Sequence, residues 1–204
     1  MFIAMGSFKM LGITSEDVIY NSLPLYHTSG GMVGAGMVML KGSTMALRKK
    51  FSASNFWTDC IKYNCTVAQY IGEICRFLLL TPPKPTDKMH SLRLVFGNGL
   101  RPQIWTQFVS RFGIPNIGEF YGATEGNSNI VNFDNTIGAV GFVPRVFKFL
   151  YPVTLAKCDE ETGEPLRNSE GFCVETQPGE PGVFIGKINT NHASRSFAGY
   201  ADKV

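Results

Sequence analysis

One short stretch of the sequence, residues 117–127, concentrates side chains that could bind a nucleotide. Tyr121 offers a flat ring on which a base could stack, and Thr124 offers a hydroxyl to a phosphate oxygen. Glu125 follows directly and supplies the hard carboxylate oxygen that Mg²⁺ uses together with substrate phosphates. Gly122 lets the backbone turn tightly and approach a ligand closely. The alternative is an ordinary glycine turn after a strand, with Glu125 solvated, and so short a motif leaves both open.

Two further segments carry candidate binding residues, and each follows an apolar run that predicts a strand. Gly97, Asn98 and Gly99 form a predicted turn whose glycines permit positive φ angles and expose backbone N–H and C=O groups. His27 lies after a strand and before two glycines, where its ring could face a cleft. Taken alone, these features are also compatible with a common strand-to-helix turn and a structural histidine.

Three strings in these segments resemble a known group of enzymes. Tyr121–Glu125 (YGATE) resembles the YGxTE motif of the adenylate-forming superfamily, which contains acyl-CoA synthetases, luciferases and the adenylation domains of peptide synthetases. The longer string Gly118–Asn127 (GEFYGATEGN) is similar to the fatty acid transport protein family, also called very long-chain acyl-CoA synthetases. Leu23–His27 (LPLYH) resembles a segment of the same family. The resemblance covers nearly the whole chain and is strongest to the long-chain fatty acid transport proteins.

The resemblance implies a set of ligands and roles for individual residues. ATP or AMP, Mg²⁺ and CoA are the implied cofactors and co-substrates, and a long-chain fatty acid is the implied substrate. His27, Thr124 and Glu125 are the implied catalytic residues, with Glu125 as the ligand of the metal. The implied nucleotide-binding residues are Gly97, Asn98, Gly99, Tyr121, Gly122, Ala123 and Thr124.

The implied reaction is the two-step synthesis of a fatty acyl-CoA by an acid–thiol ligase. A fatty acid carboxylate attacks the α-phosphorus of ATP and gives an acyl-adenylate and pyrophosphate. The CoA thiol then attacks the acyl carbonyl and releases AMP. The resemblance also implies coupling to fatty acid uptake and association with the endoplasmic reticulum or plasma membrane, with the catalytic part facing the cytosol. We expect the segments that contact the membrane to lie outside this chain.

Composition is typical of a folded domain and excludes several other classes of protein. The chain has 204 residues, of which 44% are hydrophobic and 17% charged, enough for a sizeable core and unlike a disordered chain. A net charge of +3 is too small to indicate nucleic acid binding. The five cysteines include no C-x-x-C pair, which favours reduced thiols over disulfides or zinc. Residues 18–40 lack charged side chains, but their proline and four glycines favour a strand, a loop and a helix over a membrane span.

The order of predicted elements indicates an α/β fold. Apolar runs alternate with helix signals up to residue 135, which predicts a mainly parallel sheet layered with helices. Ligands of such sheets bind beyond the carboxyl ends of the strands, so the His27 loop and both glycine turns should converge on one edge. From residue 136, short apolar runs (residues 153–156, 172–175 and 183–188) between glycine- and proline-rich turns predict a β-meander. The resemblance implies that this region is the start of a β-barrel-like subdomain. We expect a partial nucleotide- and acyl-binding subdomain over residues 1–135 and a partial β-rich subdomain over residues 136–204.

Some segments expected in a complete family member are not found in this sequence. They are the Ser/Thr/Gly-rich ATP loop, the ribose-binding aspartate and the small C-terminal domain with its lysine. We therefore expect a fragment or a truncated gene product that is inactive as a ligase on its own. Two other hypotheses stay open. One is an adenylating enzyme for aryl or amino acids, which a screen of acid substrates would reveal. The other is a non-catalytic lipid-binding or interaction protein, which the full transcript would distinguish.

Overall fold

The computed structural model describes residues 6, 9–123, 126–143, 146, 148–149, 151–191 and 195–197. The chain divides into two units. The first unit comprises Met1–Tyr121 and Ile130–Phe142, and the second comprises Gly122–Asn129 and Val143–Val204. The subdomain boundary that the sequence places at residue 135 stays a prediction.

A six-stranded sheet forms the centre of the first unit. Its strands are β1 (Val18–Asn21), β2 (Thr44–Leu47), β3 (Val67–Ile71), β4 (Leu94–Asn98), β5 (Ile117–Tyr121) and β6 (Ile130–Asn132). Their order across the sheet is β2-β1-β3-β4-β5-β6. Neighbouring strands pair in parallel, except that β6 runs antiparallel to β5. The mainly parallel sheet predicted from the sequence is therefore confirmed.

Helices cover both faces of this sheet, as a parallel sheet requires. They are a π-helix (Thr28–Ala35) that continues into α1 (Gly36–Lys41), then α2 (Phe56–Lys62), α3 (Ile74–Leu79), a 3₁₀ turn (Pro85–Lys88) and α4 (Pro102–Phe112). On one face, α2, α3 and α4 bury large side chains such as Trp57 and Trp105 against the strands. On the other face, Met37 of α1 packs in one cluster with Ile19 and Phe96. The two faces thus carry separate hydrophobic clusters.

The ends of α4 follow from local sequence. Pro102 occupies the first turn. Proline has no backbone N–H, and none is needed there because the N–H groups of the first turn make no hydrogen bonds within the helix. Gly113 ends the helix in the left-handed conformation, with φ of 65°, which glycine adopts without strain. Between them, Trp105, Phe108 and Phe112 recur at spacings of three and four residues and are buried on one side. Both helix ends agree with the sequence prediction.

The second unit contains a two-stranded antiparallel sheet of β7 (Val153–Ala156) and β8 (Val183–Gly186). The apolar runs predicted at 153–156 and 183–188 therefore do contain strands. The run at 172–175 does not, because it makes only isolated bridges. The isolated bridges in this region join Ala156 to Glu175, Cys158 to Pro165 and Arg167 to Cys173. Whether these residues begin a barrel stays a prediction.

All five cysteines are free thiols, as the sequence predicts. Cys60, Cys65 and Cys75 are buried in the first unit, whereas Cys158 and Cys173 are partly exposed in the second. Burial raises the pKa of the Cys60 and Cys75 thiols far above their ordinary value. These two buried thiols are therefore protonated at neutral pH and serve as packing groups.

The uncharged segment 18–40 forms β1, a loop, the π-helix and most of α1, as predicted. Within the ranges that the structure describes, no helix combines the length and the apolar character needed to cross a bilayer.

A buried carboxylate joins three parts of the first unit at the amino ends of the strands. Asp17 Oδ1 accepts a hydrogen bond from Thr66 Oγ1 at 2.6 Å and one from Arg93 Nε at 2.9 Å. Asp17 Oδ2 accepts from the Thr14 N–H at 2.8 Å. Burial alone would raise the pKa of Asp17, but the hydrogen bonds from Arg93, Thr66 and Thr14 outweigh it and hold this pKa below its ordinary value of 3.8.

We expect Asp17→Asn to lower stability and to remove part of its acid dependence. Because the pKa of Asp17 is lower in the folded than in the unfolded chain, its contribution is complete above pH 3.8 and is lost as the pH falls through the folded value. At pH 7 the substitution should lower the free energy of unfolding by about 1–3 kcal/mol. Urea unfolding between pH 2 and pH 7 measures both effects.

The matched control is Glu16→Gln, which removes the same charge from an exposed neighbouring side chain. An equal loss of stability in both variants would contradict a specific role for Asp17.

Candidate functional site

The carboxyl ends of β1, β3, β4 and β5 lie at one edge of the sheet because these strands run parallel. We call the edge formed by their last residues the carboxyl edge. The loop containing His27 follows β1, the turn at Gly99 follows β4, and Tyr121 is the last residue of β5. Because β4 and β5 are neighbours, Gly99 and Tyr121 lie on adjacent strand ends, whereas β3 separates them from the strand that leads to His27.

A row of three buried residues crosses the sheet just below this edge. In register, Tyr70 of β3 pairs with Gly97 of β4, and Gly97 pairs with Glu119 of β5. A Cβ atom on Gly97 would collide with the carbonyl oxygen and the ring of Tyr70. With no side chain at Gly97, the Tyr70 hydroxyl reaches across β4 and donates a hydrogen bond to Glu119 Oε2. We call Tyr70, Gly97 and Glu119 the cross-strand row.

Gly97 and Asn98 lie within β4 and not in the turn after it, which corrects the sequence prediction. Gly97 is part of the cross-strand row, and Asn98 pairs with Ile71 of β3, so ladder pairing continues through both residues. The turn therefore begins at Gly99, where φ is 96°. Asn98 is half-buried, and strand alternation places its side chain on the opposite face from the cross-strand row.

The turn at Gly99 is held from beneath by the carboxylate of Glu119. Glu119 Oε1 accepts a hydrogen bond from the Gly99 N–H and another from the Leu100 N–H at 3.3 Å. Beside the turn, a Cβ on Gly99 would lie 2.9 Å from the Cα of Gly72, so the two glycine turns pack closely. Gly99 itself is exposed. The turn therefore has a fixed inner side and an open outer side.

The burial of Glu119 influences the protonation of the cross-strand row. Burial raises the pKa of the Glu119 carboxyl above its ordinary value, although the hydrogen bonds from Tyr70, Gly99 and Leu100 act in the opposite direction. Burial and the nearby Glu119 also raise the pKa of Tyr70 well above its ordinary value. Tyr70 therefore keeps its proton at neutral pH and serves as the hydrogen-bond donor.

Tyr121 presents an aromatic side chain at the end of β5. Its exposed fraction is 45%, compared with 3% for Glu119 two residues earlier. Strand alternation places both side chains on the same face of the sheet. A flat group at the carboxyl edge could therefore contact the Tyr121 ring while the carboxylate beneath stays buried.

The residues that follow Tyr121 in the sequence belong to the second unit. A Cβ on Gly122 would lie 2.7 Å from Asn129 Oδ1, so a larger residue there would meet a polar side chain of the same unit. Ala123 accepts a hydrogen bond from the Gly126 N–H at 3.1 Å. Thr124 and Glu125 lie outside the described residues, and their roles stay predictions.

The loop containing His27 is shaped by glycines on the π-helix. A Cβ on Gly31 would run into the Leu25 carbonyl oxygen, so the loop can lie directly against the helix only because this position is glycine. His27 is exposed, packs on the ring of Tyr26 with 4.6 Å between centroids, and accepts a hydrogen bond from the Gly31 N–H on its carbonyl at 2.8 Å. Asn21, buried at the end of β1, donates to the Gly30 carbonyl at 3.1 Å and ties this end of the strand to the π-helix.

Sequence reasoning missed the supporting residues of this edge. The turn and the loop are held by Glu119, Tyr70 and Asn21, none of which has a role predicted from the sequence. A signal exists for Glu119 and Asn21, since each places a polar side chain within or at the end of an apolar strand, where it must find a buried partner. Tyr70 carries no such signal, because tyrosine is common in strands.

The shape of the carboxyl edge is compatible with the adenosine part of a nucleotide. Gly99 is exposed and lacks a side chain, and Tyr121 offers a half-exposed ring on the adjacent strand. A flat ring system could therefore approach the turn closely and contact an aromatic surface. In the described part of the chain, no group of three or more His, Cys, Asp or Glu side chains could hold a metal ion.

Comparisons with known proteins show the family to which this chain belongs. The family model for AMP-binding enzymes matches residues 2–184. The chain is 55% identical over 186 residues to long-chain fatty acid transport protein 1 of Mus musculus, a match that covers 91% of this chain and 29% of that protein. It is 43% identical to long-chain fatty acid transport protein 3 of Homo sapiens, covering 95% of this chain and 28% of that one. The chain thus spans about 29% of the length of the first of these relatives.

Solved structures share the fold at lower sequence identity. ATP-bound MatB from Rhodopseudomonas palustris superposes with a TM-score of 0.71 at 22% identity, over 98% of this chain and 36% of that one. The O-succinylbenzoate coenzyme A synthetase MenE of Bacillus subtilis, in complex with ATP and magnesium ion, gives a TM-score of 0.64 at 19% identity, over 99% of this chain and 38% of that one.

We expect Gly99→Ala to destabilise the first unit more than a matched glycine substitution. Gly99 combines a φ of 96° with close packing on Gly72, so a methyl group adds both backbone strain and a collision. The free energy of unfolding should fall by about 2–4 kcal/mol. The control is Gly42→Ala, where φ is 73° but no atom lies within 4 Å of the added Cβ.

For Gly42→Ala the expected loss is about 1–2 kcal/mol, from backbone strain alone. Urea denaturation followed by circular dichroism measures both variants. Equal losses would contradict the close packing of the two glycine turns.

Proposed function

Because this chain belongs to the family of AMP-binding enzymes, we propose that it forms part of a long-chain fatty acid–CoA ligase. The observation that carries the proposal is the 55% identity to a long-chain fatty acid transport protein across 91% of the chain. The carboxyl edge adds a physical argument, since an open glycine turn and an exposed tyrosine occupy adjacent strand ends. Fold similarity alone would not favour a fatty acid over another carboxylic acid.

The proposed reaction joins a fatty acid to CoA at the expense of ATP. In the first step, a carboxylate oxygen forms a bond to the α-phosphorus, and the bond to pyrophosphate breaks. In the second step, the CoA thiol loses its proton and its sulfur bonds to the acyl carbon. The bond between that carbon and the phosphate oxygen breaks, and AMP leaves. Negative charge on the phosphates grows in the first step, so catalysis requires donors and cations that are already in position.

The residues of the first unit would bind and orient the nucleotide. Gly97, Asn98 and Gly99 would lie along the adenosine, with the exposed Gly99 backbone closest to it. Tyr121 would stack on the base. His27, on the exposed loop after β1, would lie near the fatty acid carboxylate.

The residues after Tyr121 would act on the phosphates. Gly122, Ala123 and Thr124 would donate hydrogen bonds to phosphate oxygens, and Glu125 would hold Mg²⁺. When bound, Mg²⁺ would neutralise part of the phosphate charge. CoA is the proposed second substrate.

We also propose that the complete protein couples this reaction to fatty acid uptake at a membrane. The support is the name shared by the relatives, which are long-chain fatty acid transport proteins. Formation of acyl-CoA adds a large charged group to the fatty acid, which would retain it on the side where the reaction occurs. The endoplasmic reticulum or plasma membrane is the proposed location, with the catalytic part facing the cytosol.

We expect the complete gene product to form oleoyl-CoA from oleate, ATP, Mg²⁺ and CoA and to release AMP. Acyl-CoA is measured by mass spectrometry, with aryl acids and amino acids as competing substrates. Activity with one of these acids but not with oleate would contradict the fatty acid assignment. Binding of fatty acid without any release of pyrophosphate would contradict the ligase.

We expect Tyr121→Ala to raise the KM for ATP, because base stacking on an aromatic side chain is lost. Stacking is worth about 1–3 kcal/mol, so the increase should be roughly ten- to a hundredfold. Tyr121→Phe keeps the ring and should remain close to wild type. Pyrophosphate release at varied ATP concentration measures the effect.

The matched control for Tyr121→Ala is Phe133→Ala. The exposed fraction of Phe133 is 50%, close to the 45% of Tyr121, but Phe133 follows β6 toward the amino end of β5. A similar rise in the KM for ATP in both alanine variants would show that Tyr121 has no specific contact with the nucleotide.

A further inference from the structure

The cross-strand row connects the interior of the sheet to the turn at the carboxyl edge. Glu119 lies in register with Gly97, and the Tyr70 hydroxyl crosses Gly97 to donate to Glu119 Oε2. The other oxygen of Glu119 accepts hydrogen bonds from the N–H groups of Gly99 and Leu100. One buried side chain on β5 therefore bonds to β3 and to the turn that follows β4.

The bonds to Gly99 and Leu100 restrain a turn that contains a glycine. Gly99 adopts a φ of 96°, and a glycine can leave such a conformation at little cost. Its outer side is exposed, its inner side packs against Gly72, and the following Leu100 is buried in the hydrophobic cluster. Among the described contacts of the first unit, the Glu119 carboxylate accepts from both the Gly99 and the Leu100 N–H, and the Asn98 carbonyl just before the turn accepts from the Gly72 N–H at 2.8 Å.

We propose that Glu119 is a positioning residue for the nucleotide: it holds the backbone of Gly99 and Leu100 in the conformation that accepts the adenosine. This inference rests on the proposed function, because it assigns the nucleotide to the carboxyl edge. With an exposed fraction of 3%, Glu119 acts through the turn and makes no contact with the ligand itself. A turn held in advance lowers the entropy lost on binding, and the effect therefore falls on nucleotide affinity.

Glutamine at position 119 preserves this arrangement, and alanine does not. The amide oxygen of Glu119→Gln can accept from the Gly99 and Leu100 N–H groups, while its NH₂ donates to the Tyr70 hydroxyl, which rotates to accept. Glu119→Ala leaves two backbone donors without their acceptor and frees the turn. Comparing the two variants separates hydrogen bonding at this position from its charge.

A third variant controls for loss of stability. Ile117→Ala removes a buried side chain from the same strand and the same face as Glu119, two residues away, and makes no hydrogen bond to the turn. It should destabilise the fold without altering the Gly99 turn.

The experiment measures adenylation of oleate and binding of AMP by the complete gene product carrying each substitution. Pyrophosphate release gives the KM for ATP, the KM for oleate and kcat. Titration calorimetry gives the Kd for AMP, and thermal melts define the temperature at which every variant is folded.

Glu119→Ala should raise the KM for ATP and the Kd for AMP about tenfold or more, with kcat and the KM for oleate changed less. Glu119→Gln and Ile117→Ala should stay within about threefold of wild type in both quantities. Unchanged AMP binding in folded Glu119→Ala would overturn the proposal. An equal loss in Glu119→Gln would also overturn it, because the charge and not the anchored turn would then be responsible.

The calorimetric measurement of AMP binding tests this inference independently of the proposed function. If the wild type binds AMP but does not activate oleate, the fatty acid assignment fails, and the pattern of AMP affinities still decides the role of Glu119. If the wild type binds no AMP, both are overturned.

Discussion

The close approach of β3 and β4 at Gly97 is the constraint on which the carboxyl edge depends. Any side chain at this position would collide with Tyr70, so only glycine lets the two strands keep their register. The same empty space allows the Tyr70 hydroxyl to reach Glu119, and the other oxygen of Glu119 fixes the start of the turn at Gly99. A local steric requirement in the middle of the sheet thus determines the geometry of a loop on its edge.

Sequence patterns predict the sheet well because each strand is a short apolar run closed by a turn former, and because Pro102 and Gly113 mark both ends of α4. These sequence patterns fail where pairing between strands overrides the conformation that a residue prefers locally. Gly97 and Asn98 are typical turn residues, yet register with β3 keeps them in β4. The role of Glu119 depends on contacts between residues some twenty positions apart, which no local pattern contains. The candidate residues form short motifs that are visible in the sequence. A polar residue in an apolar strand indicates that Glu119 and Asn21 need buried partners, but only the structure identifies those partners.

The fold of this chain places different demands on different positions. Enzymes that share about a fifth of its sequence superpose on nearly all of it, so the fold tolerates wide substitution. At some strand ends, by contrast, polar groups and glycines have no equivalent replacement. The loop around His27 illustrates this, because the glycine that packs against the Leu25 carbonyl leaves no volume for a side chain.

The distribution of cysteines provides a natural chemical contrast between the two units. The thiols of the first unit are buried among hydrophobic side chains, whereas Cys158 and Cys173 are accessible on the second. A maleimide fluorophore added to the unmodified native protein would therefore attach to the second unit alone, since only there do thiols meet solvent. Spectroscopy of the second unit as nucleotide is added would then need no engineered attachment site in this chain.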